Sequence, residues 1–278
     1  MKNLHVACVS AAFPVGDIEG NLGRICHFAS LAKDEGIELV CFPELCLMGY
    51  GLGPEIQALA EPIPGPSTER LCEVSKALRV TLLVGLAERT PEGVYLSHVA
   101  IEEGKVAGVY RKVHLSPGER RGFISGQTIS PIRLRHATIG IGLCLDAHIP
   151  EFSTTLLLQG TEILVFPHAS PSKETPEQKR ERWLRYLPAR AYDNNAYLIA
   201  CSLAGHRQNG TPFTPAGLIL DPKGKILAER FGEEGITVGF LDAKRLSEVR
   251  ARQMGFFLGF RRPELYRHLT LLLPQNKG

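Results

Sequence analysis

The stretch Thr138-Ile-Gly-Ile-Gly-Leu-Cys144-Leu-Asp146 decides how this chain is organised. Its glycines and branched apolar residues are typical of a buried strand. We therefore predict a strand that ends at Cys144, then a turn at Asp146 and an apolar helix that begins at Pro150. A cysteine at a strand end is fixed by the strand and reachable from the turn. It is a candidate nucleophile, although buried cysteines usually serve as small apolar side chains.

Two distant stretches place charged side chains in similar positions. Glu44 follows the apolar run 37–42 and one proline, and Lys112 lies inside the strand-like run 109–115. Each charge could simply lie at a strand end, either solvated or paired. Glutamate and lysine are, however, almost never buried without a partner, so a lysine among apolar residues predicts a nearby carboxylate.

Composition and charge limit the class of protein. The chain has 278 residues, of which 44% are hydrophobic and 22% charged, as is usual for globular proteins. The net charge of +3 is too small to indicate a nucleic acid or an anionic membrane as partner. No segment approaches the ~18 apolar residues of a membrane span. The first residues alternate like a strand and lack the apolar core of a signal peptide.

The cysteines and histidines argue against disulfides and metal. The chain has seven cysteines, an odd number, with no Cys-x-x-Cys pair, and several of them lie in apolar strands. This pattern fits reduced thiols, so we expect a cytoplasmic protein. The nine histidines show no His-x-x-x-His spacing, and we expect no metal site and no cofactor.

Strands and helices alternate along the whole chain. We predict strands over residues 4–11, 37–42, 80–88, 94–102, 105–115, 132–145 (in two arms), 161–166, 196–202, 216–220, 225–228 and 236–241. We predict helices over residues 17–35, 55–59, 67–78, 150–159, 174–194 (kinked at Pro188) and 242–252. Since no linker or repeat interrupts this order, we expect one α/β domain over residues 1–278, with 253–278 as a C-terminal tail.

Glu44, Lys112 and Cys144 together resemble the Glu-Lys-Cys triad of the nitrilase superfamily of carbon–nitrogen hydrolases. The resemblance implies a four-layer α-β-β-α sandwich, which periodicity alone does not give. It also implies that Cys144 attacks a substrate carbonyl and that Glu44 moves the proton. Lys112 would favour the thiolate and, with the backbone N–H of Leu145, hold the oxyanion. Glu119 lies where the family has a second glutamate that orients the lysine or the substrate.

The resemblance covers nearly the whole chain, with a few departures. Residues 182–194 resemble the family's helix that ends in Arg-Ala-x-Glu-Asn, with Asp193 in place of the glutamate, and residues 217–224 resemble its late hairpin. Leu145 stands where an aromatic residue is common, and His168 where a small polar residue is common. Because the triad positions are intact, these departures concern the substrate rather than the chemistry.

The resemblance also places the substrate pocket in loops near the triad. We expect these loops to be residues 50–66, 117–126 and 168–176. We expect four residues to bind substrate: Tyr50, Leu145, His168 and Ala169. His168 could equally cap a turn. His114 and His148 could suggest a Cys-His pair, but Glu44 already supplies a base, so we interpret both as structural or surface residues. We interpret the run 179–182 as a solvated helix face.

The function favoured by these observations is hydrolysis of a small linear amide or N-carbamoyl compound through a cysteine thioester, with release of ammonia or an amine. Two alternatives are a nitrilase that acts on a nitrile and a catalytically silent binding protein on the same scaffold. The resemblance further implies a homodimer or higher homo-oligomer, packed through helices near the active site. Residues 256–273, whose apolar side chains need covering, would brace the partner or be covered within the subunit.

Overall fold

Two six-stranded β-sheets form the centre of the computed structural model, which describes residues 1–171, 173–207, 209–252 and 254–271. The first sheet contains β1 Leu4–Ser10, β2 Leu39–Cys41, β3 Thr81–Thr90, β4 Gly93–Glu102, β5 Lys105–Arg111 and β12 Gly235–Leu241. The second contains β6 Ile132–Arg133, β7 Thr138–Ile141, β8 Ile163–His168, β9 Tyr197–Ser202, β10 Ala216–Leu220 and β11 Ile226–Phe231. Their orders are β12-β1-β2-β3-β4-β5 and β11-β10-β9-β8-β7-β6.

Parallel strands of both sheets end on the same side of the molecule. Strands β1, β2 and β3 run parallel to one another, as do β7, β8 and β9. Strand β1 packs against β9 and β10, and a parallel bridge joins Ala12 to Ala204 just beyond β1 and β9. The carboxyl ends of these strands therefore converge. Ligands of open α/β sheets bind outside such ends.

Helices cover both sheets. Their bounds are α1 Ile18–Asp34, α2 Pro54–Leu59, α3 Pro66–Leu78, α4 Pro150–Leu158, α5 Pro176–Leu184, α6 Leu187–Asn194 and α7 Ala243–Ala251. Helix α3 packs on β3, β4 and β5 and contacts α1, whereas α4, α5 and α6 pack on strands of the second sheet. The predicted α/β class and the four layers implied by the resemblance are confirmed. Among the described residues, none of the helices combines the length and the apolar character that a bilayer crossing requires.

The longest predicted helix needs correction. The segment 174–194 forms two helices, α5 and α6, because the chain turns between them at residues 185–186. Pro188 lies in the first turn of α6, where its missing N–H costs no hydrogen bond. This proline therefore starts a helix instead of kinking one.

The start of helix α3 also differs from the prediction. The sequence predicts Ser67 as the N-cap, but the helix begins at Pro66 with Gly65 as its N-cap, two residues before Ser67. Ser67 lies inside the first turn, where its hydroxyl donates to the Glu61 carboxylate at 2.8 Å. A proline is well suited to the first helical position because its fixed φ matches the helix.

The C-terminal tail exposes apolar side chains. It contains short 3₁₀ turns at Phe257–Phe260, Pro263–Leu265 and Arg267–Thr270. Phe260 and Leu269 are 56% and 61% exposed. The division of residues 1–278 into one domain with a tail from 253 stays a prediction. Residues 253 and 272–278 of that tail lie outside the described residues.

Candidate active site

Glu44 is positioned by a loop that is tied to β3. Two backbone bonds fix the loop, from Phe42 N to Leu83 O at 2.9 Å and from Leu47 N to Gly85 O at 3.0 Å. A Cβ atom on Gly85 would collide with the backbone nitrogen of the residue after Glu44, so the close approach requires glycine. That next residue has a φ of 55°, which is rare for a bulky side chain. The loop thereby turns Glu44 into the interior.

Cys144 lies in a turn beyond β7. The prediction that the strand reaches Cys144 is wrong, because β7 ends three residues earlier and Cys144 opens the 3₁₀ turn Cys144–His148. Its φ of 44° is a left-handed conformation, which costs a non-glycine residue roughly 1–3 kcal/mol. The Asp146 carboxylate holds the turn by accepting a bond from Leu143 N at 2.7 Å. Because this hydrogen bond forms the turn, strand β7 stops pairing here, although the apolar sequence pattern continues to Cys144.

Asp146 is a site residue whose full role the sequence did not reveal. It is completely buried and also accepts bonds from the Tyr110 hydroxyl at 2.7 Å and from His114 N at 3.2 Å. The His114 Nδ1 atom lies 2.7 Å from the same carboxylate, so this histidine braces the turn. His148 is exposed and stacks on Tyr186 at 4.1 Å between ring centroids. The signal available in the sequence was an acidic residue inside an apolar stretch, two positions after the cysteine.

Lys112 lies between two carboxylates. It directly follows β5, and its Nζ atom donates to Glu44 Oε1 and to Glu119 Oε1, both at 2.7 Å. The three side chains are only 1–2% exposed. The prediction that a buried Lys112 needs a carboxylate partner is therefore confirmed, with two partners instead of one.

The two carboxylates are not equivalent. Glu119 also accepts bonds from the Tyr50 hydroxyl at 2.9 Å and from Ser116 N at 2.7 Å. Burial acts to raise the pKa of Glu119, but the charge and hydrogen bond of Lys112 outweigh it and hold the pKa below its usual value. Glu44 Oε2 has no hydrogen-bond partner among the described residues. Burial raises the pKa of Glu44 to about 7, against a smaller opposing effect of Lys112.

The pKa of the Cys144 thiol depends on burial and on the charges of Glu44 and Lys112. Burial raises its pKa most, the Glu44 carboxylate raises it further, and Lys112 lowers it by a smaller amount. The expectation that Lys112 favours the thiolate has the right sign, but the other effects outweigh it. The resting thiol is therefore neutral. Its sulfur lies 3.5 Å from the Ser170 hydroxyl, a residue that the sequence did not single out.

Lys112 itself stays an ammonium. Burial acts to lower its pKa, but the charges of Glu44, Cys144 and Glu119 outweigh burial and raise the pKa above its usual value. Among the described residues, no group of three or more His, Cys, Asp or Glu side chains could hold a metal ion. The site thus contains a neutral thiol, a carboxylate that titrates near neutrality and a fixed cation. This set of groups is suited to acyl transfer.

Tyr50, one of the predicted substrate residues, belongs to this network through its bond to Glu119. Leu145 is half-buried in the turn that begins at Cys144. Its backbone N–H lies in the first turn of a helical segment, where N–H groups have no partner in a preceding turn. Ala169 is 2% exposed and directly follows His168 at the end of β8. The substrate contacts of these residues stay predictions.

His168 is completely buried behind the site. Its Nδ1 atom lies 2.7 Å from Phe166 O, and its Nε2 atom lies 3.3 Å from the Tyr186 hydroxyl. Burial keeps the pKa of His168 well below its usual value, so the ring is neutral. Because both ring nitrogens have protein partners, His168 would influence a substrate through Tyr186, or would have to give up one contact to bind it directly.

The interpretation of residues 179–182 as a solvated helix face is wrong for two of them. Lys179 is fully buried, and its Nζ atom donates to Ser202 Oγ and Thr214 O, both at 2.7 Å. Burial lowers the pKa of Lys179 to about 7. Arg182 forms a two-pronged pair with Glu174, at 2.6 and 2.8 Å. The two groups that accept hydrogen bonds from Lys179 come from distant segments, so a local sequence pattern could not reveal them.

Comparisons with known proteins show which proteins this chain resembles. The sequence model of the family described as Carbon-nitrogen hydrolase matches residues 5–251. The chain is 28% identical over 248 residues to an (R)-stereoselective amidase from Pseudomonas sp, covering 89% of this chain and 88% of that protein. It is 29% identical over 243 residues to an omega-amidase from Homo sapiens, covering 83% and 86%.

The fold also matches a solved structure. A carbon-nitrogen hydrolase from Helicobacter pylori G27 superposes with a TM-score of 0.86 at 25% identity, covering 96% of this chain and 98% of that one. The fold is therefore shared over nearly the whole length of both chains.

Proposed function

Because the chain belongs to the carbon–nitrogen hydrolase family, we propose that it cleaves the C–N bond of a small linear amide or N-carbamoyl compound through a thioester on Cys144. The names of its relatives support amides as substrates. The observation that carries the proposal is the free oxygen of Glu44, buried beside Lys112 in a site whose charges act on the thiol of Cys144. A carboxylate with an unoccupied oxygen and a pKa near neutrality is suited to proton transfer.

In the first half of the reaction, the thiol proton of Cys144 moves to Glu44 Oε2 while the sulfur attacks the amide carbon. The electron pair of the C=O double bond moves to oxygen, and Lys112 Nζ and the Leu145 N–H stabilise the oxyanion. When the carbonyl reforms, the C–N bond breaks and the leaving nitrogen takes the proton from Glu44. Ammonia or an amine departs, and the acyl group stays on sulfur.

In the second half, Glu44 accepts a proton from water, and the resulting hydroxide attacks the thioester. The C–S bond breaks, the sulfur recovers the proton from Glu44, and the carboxylic acid leaves. Glu119 would hold Lys112 in place through both halves, since its carboxylate is anchored by Tyr50 and Ser116.

The proposal is tested with a panel of small linear amides, N-carbamoyl compounds and nitriles. We expect ammonia release from amides or carbamoyl compounds, and intact-mass spectrometry should detect an acyl adduct on Cys144 during turnover. Turnover of nitriles alone would replace the proposal with a nitrilase. Neither turnover nor an adduct with any compound would indicate a silent binding protein.

The pH dependence of the rate should report the ionisation of Glu44. Glu44 must be a carboxylate to accept the thiol proton, and its pKa is about 7. We therefore expect kcat/KM to rise with pH up to about 7, and to fall roughly tenfold per unit below that value. Initial rates measured where circular dichroism shows a folded protein will test this. A flat profile through this range would exclude Glu44 as the group that titrates.

We also propose a homodimer as the state in solution. Exposed apolar side chains of α4 and the tail, including Leu158 and Leu269, line a shared groove of about 510 Å³. A second copy would cover this surface, which supports the proposal. Light scattering should give about twice the chain mass of 30.5 kDa, whereas the mass of a single chain would contradict it. A cytoplasmic location stays a prediction.

A further inference from the structure

The sulfur of Cys144 lies beside a hydroxyl that the mechanism above does not use. Ser170 Oγ is 3.5 Å from Cys144 Sγ, which is a hydrogen-bond distance for a sulfur atom. Among the described residues, the sulfur has no such bond to Glu44 or Lys112, since Lys112 Nζ donates to Glu44 and Glu119 instead. In the resting site, therefore, the nucleophile has Ser170 as its hydrogen-bond partner.

The segment that carries Ser170 is anchored on both sides. It follows β8, where the backbone carbonyl of His168 accepts a bond from Leu203 N at 3.3 Å. On the other side, the backbone carbonyl of Glu174 accepts a bond from Thr214 Oγ1 at 2.9 Å, and its carboxylate is paired with a guanidinium of α5. Because both flanks are fixed, little further ordering is needed to hold the hydroxyl against the sulfur.

The Ser170 hydroxyl can bond to the sulfur in either protonation state. A serine hydroxyl is both a donor and an acceptor, and its hydrogen rotates to suit the partner. Only donation to sulfur stabilises a negative charge there. Burial and the Glu44 carboxylate raise the pKa of Cys144, whereas Lys112 and the Ser170 hydroxyl lower it. Ser170 therefore acts with Lys112 against the two effects that keep the thiol neutral.

We propose that Ser170 is a further catalytic residue, which donates a hydrogen bond to the sulfur of Cys144 whenever that sulfur carries negative charge. This inference rests on the proposed function and adds a residue to it. During acylation the thiol proton still moves to Glu44, and Ser170 keeps its own proton. During deacylation the electron pair of the C–S bond returns to sulfur, and the same hydroxyl stabilises the leaving thiolate until Glu44 protonates it.

Such a contact favours the reacting states over the resting one. Hydrogen bonds to an ionised partner are roughly twice as strong as those between neutral groups. The bond between Ser170 and the sulfur is therefore stronger while the sulfur is charged than in the neutral thiol. An interaction that strengthens along the reaction raises the rate, whereas one of constant strength does not.

Other titratable groups surround the thiol, and the test leaves all of them unchanged. The charged groups that interact with it electrostatically lie after β2, after β5, in the 3₁₀ turn Glu119–Arg121 and on α5: Glu44, Lys112, Glu119, Lys179 and Arg182. Tyr50 and Tyr186 also interact with it, but burial raises the pKa of each, so both stay neutral. A shift on removal of the Ser170 hydroxyl can therefore be assigned to that hydroxyl.

The test measures the pH dependence of Cys144 alkylation by iodoacetamide, with mass spectrometry of the peptide that carries Cys144. We expect the profile of Ser170→Ala to move to higher pH, and its alkylation rate at neutral pH to fall roughly threefold to tenfold. Ser170→Thr keeps a hydroxyl and should stay close to the wild type. The matched control is Ser247→Ala, which removes an exposed hydroxyl on α7. An unchanged profile in Ser170→Ala, or an equal shift in Ser170→Thr, would overturn the proposal.

Turnover of amides separates this proposal from the proposed function. We expect Ser170→Ala to lower kcat/KM roughly threefold to tenfold, because the loss of thiolate outweighs the gain in nucleophilicity that accompanies a higher pKa. If the wild type hydrolyses no amide or carbamoyl compound but the alkylation profile shifts, the proposed function fails and the contact of Ser170 with the thiolate stands. If amides are hydrolysed and Ser170→Ala keeps the wild-type kcat/KM, Ser170 is not a catalytic residue and this proposal fails alone.

Discussion

Cys144→Ala will abolish ammonia release while the protein stays folded. The variant removes the proposed nucleophile, and loss of a nucleophile of this kind costs roughly 10⁴–10⁶-fold in kcat. The fold should tolerate the change, because the turn is held by Asp146 and its partners and not by the sulfur. The measurements are ammonia release, intact mass with substrate present, and the midpoint of thermal unfolding. No acyl adduct should appear.

The matched control for this variant is Cys72→Ala. Cys72 is a half-buried cysteine on α3, away from the turn that holds Cys144. It should retain both turnover and the acyl adduct on Cys144. If Cys144→Ala turned over substrate at a rate near that of the wild type, the thioester mechanism would be wrong whatever the substrate.

The pairing of Glu44 with Lys112 could be predicted from the sequence because each charge contradicts its apolar surroundings. Glu44 and Lys112 are charges beside apolar runs, and burial of such charges predicts that they pair. The structure places their side chains 2.7 Å apart, between Lys112 Nζ and Glu44 Oε1. The strand and helix order was also readable, because apolar periodicity follows burial closely in both sheets. The layering of the sheets came from the family resemblance alone.

Other features depend on contacts between distant segments, which periodicity does not encode. The apolar pattern from β7 continues to Cys144, yet the Asp146 carboxylate bonds back to the residue before Cys144 and ends the strand. The burial of that carboxylate is also compensated by Tyr110, 36 residues away, and by His114, both of which contact it. Similarly, Lys179 can be buried because Ser202 Oγ and the backbone carbonyl of Thr214 accept hydrogen bonds from its Nζ atom. A local sequence pattern shows a charge in each case but not the group that makes its burial possible.

Glu44→Gln should reduce kcat/KM by roughly 10²–10⁴-fold, the usual contribution of a positioned acid–base group. The amide oxygen of glutamine can still accept a bond from Lys112, so the variant keeps the shape of the site. It cannot take the thiol proton, protonate the leaving nitrogen or activate water. The measurement is kcat/KM for the best amide of the panel. Glu229→Gln, which removes a surface carboxylate paired with Arg180, is the control and should retain the wild-type rate.

Glu44→Gln should slow turnover but make the Cys144 thiol easier to ionise. This second effect distinguishes lost proton transfer from general damage to the site. The Glu44 carboxylate raises the pKa of Cys144, so removing its charge should lower that pKa and leave Lys112 to favour the thiolate. The pH dependence of Cys144 alkylation by iodoacetamide measures this. We expect Glu44→Gln to be alkylated at lower pH than the wild type although it turns over far more slowly. If Glu44→Gln turned over more slowly but had an unchanged alkylation profile, Glu44 would not act on the thiol. If it turned over at the wild-type rate, the catalytic base would be another residue.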